Sequence, residues 1–173
     1  STNFIRRTWL IETDSGAKIE VVLDKGEVSA SGLMEPICEL EIELVEGSRD
    51  ELFALADKLV SQSNIRLGLY SKAARGYRLA DEKPLKPSKS IGFVSLPKYA
   101  TQEQALIAAI GFGIRFVQKH EQCYFDKPSL KTLKRVTDGI SLIRHTFWLF
   151  DDIVDKSTTE LLRTELKWLL SEL

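Results

Sequence analysis

The chain has 173 residues, with 24 Lys and Arg against 25 Asp and Glu and a formal net charge of −1. That balance excludes a global pull toward nucleic acid or an anionic membrane surface, so any anion site must come from a local basic cluster. The sequence reads without a signal peptide and shows no apolar run as long as a membrane span, and a hydrophobic share of 43% supplies a core for one domain or two small ones.

The chain opens Ser1-Thr2-Asn3 without a Met and runs straight into a strand, which suggests a fragment or a processed chain. Residues 4–11 read as that strand, with Ile5, Arg7, Trp9 and Ile11 on one face and Phe4, Arg6, Thr8 and Leu10 on the other. Asp14-Ser15-Gly16 signals a hairpin turn, and 17–24 form its second arm. Ile19, Val21 and Leu23 make the apolar face of that arm, opposite Lys18, Glu20, Val22 and Asp24. Lys25-Gly26 reads as a bend or bulge, and 28–32 are weakly patterned.

Pro36 leads into Cys38-Glu39-Leu40-Glu41-Ile42-Glu43-Leu44, which alternates strictly between apolar and acidic residues. Period 2 makes it a strand, with same-face carboxylates about 7 Å apart. Their mutual repulsion needs compensation, either by water on an exposed face or by a cation. Ser48 and Glu51 form a capping box for a helix at 49–62. Its stripe of Leu52, Leu55, Ala56, Leu59 and Val60 is expected to cover the apolar face of the sheet. The charged face carries Arg6, Thr8, Lys18, Glu20, Asp24, Glu39, Glu41 and Glu43. In an open sheet it meets solvent; a closed barrel would enclose it as a wet channel.

Lys72 and Arg75, three residues apart within Ile65–Leu79, align on one helical turn and read as a solvated basic pair. Residues 81–98, with Pro84, Pro87 and Pro97 among lysines and serines, read as a linker. A helical half follows. Thr101 with Gln104 caps a helix to about Tyr124, and Asp126-Lys127-Pro128 starts the next. Leu133, Val136, Ile140, Ile143, Phe147, Phe150 and Val154 form the seam of a bundle. Ser157 with Glu160 caps a third helix, lined by Leu162, Leu166, Leu169 and Leu173. Cys38 and Cys123 have no metal-ligand spacing and read as reduced, buried thiols of a cytoplasmic protein. His120 and His145 read as surface or bundle residues rather than ligands.

The acidic strand from Glu35 to Leu44, followed by Ser71-Lys72-Ala73-Ala74-Arg75-Gly76-Tyr77, resembles the CYTH family, the triphosphate tunnel metalloenzymes. Within the family these stretches look most like the bacterial inorganic triphosphatases. Ile140-Ser141-Leu142-Ile143-Arg144-His145-Thr146 with Leu149-Phe150 resembles the start of a CHAD domain. The resemblance implies an α+β chain: antiparallel strands of a partial tunnel barrel with a covering helix (residues 1–80), a linker at 81–98, and the first helices of an all-α CHAD domain at 99–173. It implies Mg²⁺ or Mn²⁺ as cofactor, held by Glu39, Glu41, Glu20 and Asp24. Glu39 and Glu41 would be catalytic, and Arg6, Lys72 and Arg75 would bind substrate.

The implied activity is hydrolysis of inorganic triphosphate or a related polyphosphate, with no nucleic-acid or membrane partner. Two alternatives are a class IV adenylate cyclase-like activity on ATP and a non-catalytic polyphosphate-binding module. The sequence departs from the family at two points. The Glu-x-Glu-x-Lys first strand of CYTH domains is absent, which implies half a tunnel with open strand edges available for self-association. The CHAD basic helix is thinned to Lys131, Lys134, Arg135, Arg144 and His145.

Overall fold

The computed structural model describes residues 1–83 and 85–173. Pro84, in the stretch read as a linker, lies outside the described residues. The fold is α+β: an antiparallel sheet with two helices in one compact unit, within Ser1–Pro84, and three helices in another, Leu85–Leu173.

The first unit is a meander of β1 (Thr2–Glu12), β2 (Lys18–Ala30) and β3 (Leu33–Glu46), in the order β1-β2-β3. The turn expected at Asp14-Ser15-Gly16 joins the first two strands. The expected break at Lys25-Gly26 does not occur: Phe4 pairs with Gly26, and Gly26 with Ile37, in continuous register. The glycine is needed for close approach instead, since a Cβ there would lie 2.1 Å from the Asn3 carbonyl oxygen. The irregularity falls between Lys18 and Ile19. The weakly patterned 28–32 stretch completes β2 and turns through Ser31 and Gly32, both at positive φ, a two-residue hairpin loop.

α1 (Arg49–Gln62) has Ser48 as its N-cap, accepting from the Asp50 amide. The expected capping box does not form: Ser48 accepts from Asp50 rather than from the Glu51 amide, and Glu51 instead accepts from the Ser15 hydroxyl at 2.5 Å. The expected cover by α1 is partial. The helix has no buried residue, and Ile5, Trp9 and Leu40 on the sheet face opposite the acidic one remain exposed. Cys38 shares that face and is exposed, so its expected burial is corrected. The second helix, α2 (Lys72–Ala80), packs on the charged face.

The helical unit holds α3 (Gln102–Asp126), α4 (Leu130–Leu149) and α5 (Lys156–Glu172). Thr101 and Gln104 form a complete capping box on α3. Pro128 precedes α4 rather than entering its first turn, because Ser129 caps that helix through Thr132. α5 is capped two residues earlier than expected: Asp155 accepts from the Ser157 amide and from the Ser157 and Thr158 hydroxyls. Charge suits an N-terminus better than a hydroxyl does.

The seam reads through into the core. Ile140, Ile143, Phe147 and Leu166 are buried together, with Val136, Val154 and Leu169 against them. Leu162 and Leu173 are exposed and leave that stripe. α3 and α4 cross closely where Gly139 faces Val117, and a Cβ there would sit 2.7 Å from a Val117 methyl. His120 is fully buried; its Nε2 accepts from the Ser88 amide at 2.9 Å, and its Nδ1 lies 2.7 Å from the Phe116 carbonyl. Burial pushes this imidazole below its ordinary pKa, helped by Lys119 and Arg135. The ring is neutral and satisfied, which matches the reading of a bundle residue. His145 is exposed. Among the described residues, no helix is long and apolar enough to cross a membrane.

Candidate functional site

The β-ladder decides which side chains share a face. Arg6 pairs with Asp24, and Asp24 with Glu39; Thr8 pairs with Val22, and Val22 with Glu41. Alternation then carries Phe4, Arg6, Glu20, Asp24, Glu35, Ile37, Glu39, Glu41 and Glu43 to one side. The face divides along its length. One end is apolar, built on Val28 and Ile37, and the other is acidic, built on Asp24, Glu39 and Glu41.

α2 matches that division. Its sheet-facing positions are Lys72, Arg75, Gly76 and Leu79, one stripe at helical spacing. Leu79 is buried against Val28 and Ile37, while Lys72 and Arg75 reach the carboxylates. The expectation of a solvated pair is therefore overturned, and the Lys72 side chain is only 13% exposed. The reason lies outside the helix. A basic residue on an isolated amphipathic helix belongs in water, but here the facing strand supplies the counter-charge.

Asp24 is the buried centre, with no exposed surface. It accepts a two-pronged contact from Arg6, Nε to Oδ1 at 2.8 Å and Nη2 to Oδ2 at 2.6 Å, the strong geometry for guanidinium and carboxylate. Lys72 Nζ lies 2.7 Å from Asp24 Oδ2 and 2.7 Å from Glu41 Oε1, and also contacts Glu39 Oε1. Arg6 Nη2 reaches Glu41 Oε2 at 3.1 Å. Arg75 bridges Glu35 at 3.1 Å and Glu39 at 3.3 Å, and donates to the Pro36 carbonyl.

These contacts move the titrations. The hydrogen bonds from Arg6 hold the Asp24 carboxyl down to about 2, against a burial effect that pulls the other way, and Lys72 adds to the lowering. Burial lowers the Lys72 ammonium, but its hydrogen bonds to Asp24, Glu39 and Glu41 outweigh that and raise it well above the usual lysine range. Arg6 is raised by its bond to Asp24. All three groups stay charged across the physiological range.

One carboxylate oxygen from each of Asp24, Glu39 and Glu41 lies within 4.8 Å of the other two, a group that could hold a metal ion. The donor chemistry fits a hard divalent ion, which prefers carboxylate oxygens and keeps several waters. A cation already sits among these oxygens, the Lys72 ammonium, so the pocket is shaped for positive charge. Of the residues singled out in the sequence, Arg6, Asp24, Glu39, Glu41, Lys72 and Arg75 come together. Glu20 shares the face but lies outside the group of three. Glu35 and Arg78, which contact each other and tie α2 to β3, were not singled out. Glu35 continues the parity of Glu39 and Glu41, but Ile37 interrupts the acidic run. Arg78 lies three residues beyond Arg75, and that spacing was the available signal.

Residues 1–77 match the model of the CYTH domain. The chain is also 39% identical over 83 residues to the inorganic triphosphatase of Haemophilus influenzae (strain ATCC 51907 / DSM 11121 / KW20 / Rd). That match covers 48% of this chain and 23% of the relative's length.

Proposed function

We propose that residues 1–80 carry part of a site for divalent-metal-dependent hydrolysis of inorganic triphosphate to diphosphate and phosphate. The observation that carries this reading is the acid–base cluster of Asp24, Glu39, Glu41, Arg6, Lys72 and Arg75 on one sheet face, in a segment that matches the CYTH domain. Asp24, Glu39 and Glu41 would hold Mg²⁺ or Mn²⁺, which neutralises charge on the polyphosphate when bound.

This chain's own residues then do three things. Arg6 and Arg75 offer planar guanidinium donors to phosphate oxygens, and Lys72 offers a mobile point charge. Glu41, half exposed, lies at the open side of the cluster and orients the attacking water, with Glu39 behind it. The cations hold the diphosphate as it leaves. Positioning and electrostatics supply most of the rate enhancement in phosphoryl transfer, and the buried Asp24–Arg6 pair keeps that geometry fixed. We place the activity in the cytoplasm, and we assign residues 99–173 as the first helices of a CHAD-like bundle, on the 140–150 phrase and the seam of α4.

The test is phosphate release from inorganic triphosphate with Mg²⁺ or Mn²⁺, comparing the wild-type protein with Glu39→Gln and Glu41→Gln. Turnover unchanged by both substitutions would overturn the site assignment. Measuring cyclic AMP formed from ATP in the same samples separates a cyclase from a triphosphatase.

A further inference from the structure

The three carboxylates that could hold a metal ion are all touched by one side chain. Lys72 Nζ contacts Asp24 Oδ2, Glu39 Oε1 and Glu41 Oε1. An ammonium has three N–H donors, and here it lies within ion-pair distance of three carboxylates at once and donates to Glu41 Oε1. We propose that Lys72 is a tethered cation that competes with a divalent ion for Asp24, Glu39 and Glu41, so that loading the site requires Lys72 to leave and the first turn of α2 to loosen. This inference rests on the metal-binding part of the reading above.

Three observations support it. First, Lys72 opens its helix directly after the Ser71 N-cap, where the helix dipole disfavours positive charge. The helix gains nothing from a lysine there, so the carboxylates are what hold it. Second, the Lys72 ammonium stands among the same three carboxylates that would hold a metal ion, so the two cations compete for one position. A divalent ion brings two charges where Lys72 brings one, so the exchange leaves the three carboxylates better neutralised. Asp24 keeps Arg6 on both oxygens throughout and is never left as a bare buried charge, which would be costly.

Third, α2 is anchored differently at its two ends. Its C-terminal end is fastened by Leu79 against Val28 and Ile37 and by Arg78 on Glu35. Its first turn is fastened to the sheet through Lys72 and, one turn on, Arg75. Losing Lys72's contacts loosens the start of that turn, while Arg75 and the far end stay docked. The released ammonium is then a cation beside a loaded site, available to a phosphate oxygen. In this scheme Lys72 exchanges carboxylate partners for phosphate as the site fills.

The test uses the whole chain and magnesium chloride without phosphate, read by calorimetry and by hydrogen exchange of the α2 amides. The expected results are that Lys72→Met binds Mg²⁺ about tenfold or more tightly than wild type, and that Mg²⁺ speeds exchange in the first turn of wild-type α2. Equal affinities with α2 protection unchanged by Mg²⁺ would overturn the competition and leave the metal site standing. No Mg²⁺ binding by either protein would overturn the metal-binding reading and this inference with it. Should Lys72→Met fail to fold, wild-type exchange decides alone: unchanged protection in protein shown to bind Mg²⁺ overturns the proposal.

Discussion

The two units bury different things. The helical unit buries an apolar seam, with Ile140, Ile143, Phe147 and Leu166 in contact, and its one fully buried histidine is neutral and satisfied within that unit. The strand unit buries a full charge at Asp24 under Arg6 and Lys72, while large apolar side chains such as Ile5 and Leu10 stay exposed. Packing alone accounts for the first arrangement. The second is hard to justify as stabilisation, because buried ion networks commonly contribute less than well-packed apolar groups of the same size. The strand unit thus holds charge where the helical unit holds apolar side chains.

The largest expected effect tests that contrast directly. Glu39→Gln combined with Glu41→Gln cuts triphosphate turnover by about a hundredfold or more, while hydrogen exchange in α3 to α5 stays at wild-type values. Protection lost in the helical unit would break the comparison. Next, Ile140→Ala destabilises the helical unit by about 2–5 kcal/mol and leaves Mg²⁺ affinity unchanged. Denaturant melts followed by exchange of each unit's amides check both parts.

Acid distinguishes the units through different groups. The folded pKa of His120 lies below its unfolded value, so below about 6.5 the unfolded chain takes up a proton that the folded one refuses. The helical unit therefore loses stability as pH falls through that window. Asp24, held down to about 2, contributes stability that is complete above its unfolded value of about 3.9 and is lost only as pH falls toward 2. Between about pH 6 and 4 the helices weaken first. His120→Gln, which keeps an acceptor without a titrating ring, should flatten the helical response; a strand unit that weakened first would contradict it. The smallest effect belongs to an exposed pair. Lys83→Ala removes a contact to Asp81 between two exposed side chains and should shift stability by no more than about 0.5 kcal/mol by chemical melt.

Much of the fold was legible, for local reasons. Strict alternation in 38–44 put Glu39, Glu41 and Glu43 on one face of their strand before any pairing was known, because side-chain period 2 does not depend on the partner strand. The seam from Leu133 to Phe147 likewise identified the face α4 buries. Hydroxyl caps were less secure: Thr101 held, while Asp155 displaced Ser157 from the cap of α5, since several polar residues near one helix start compete for the same amides.

The sequence by itself therefore determined where the patterned strand and helix segments lie and which residues within each segment share a face, because periodicity is a property of the chain alone. Only the tertiary structure decided what lies against those faces. It set α2 over the acidic face and left Ile5, Trp9, Leu40 and Cys38 exposed on the other. It turned Lys72 and Arg75 from expected solvated charges into the partners of Asp24, Glu39 and Glu41. The physical reason is that a charge's surroundings are set by groups far away in the chain, here about 30 to 50 residues off, and no local pattern records which distant carboxylate will face which lysine.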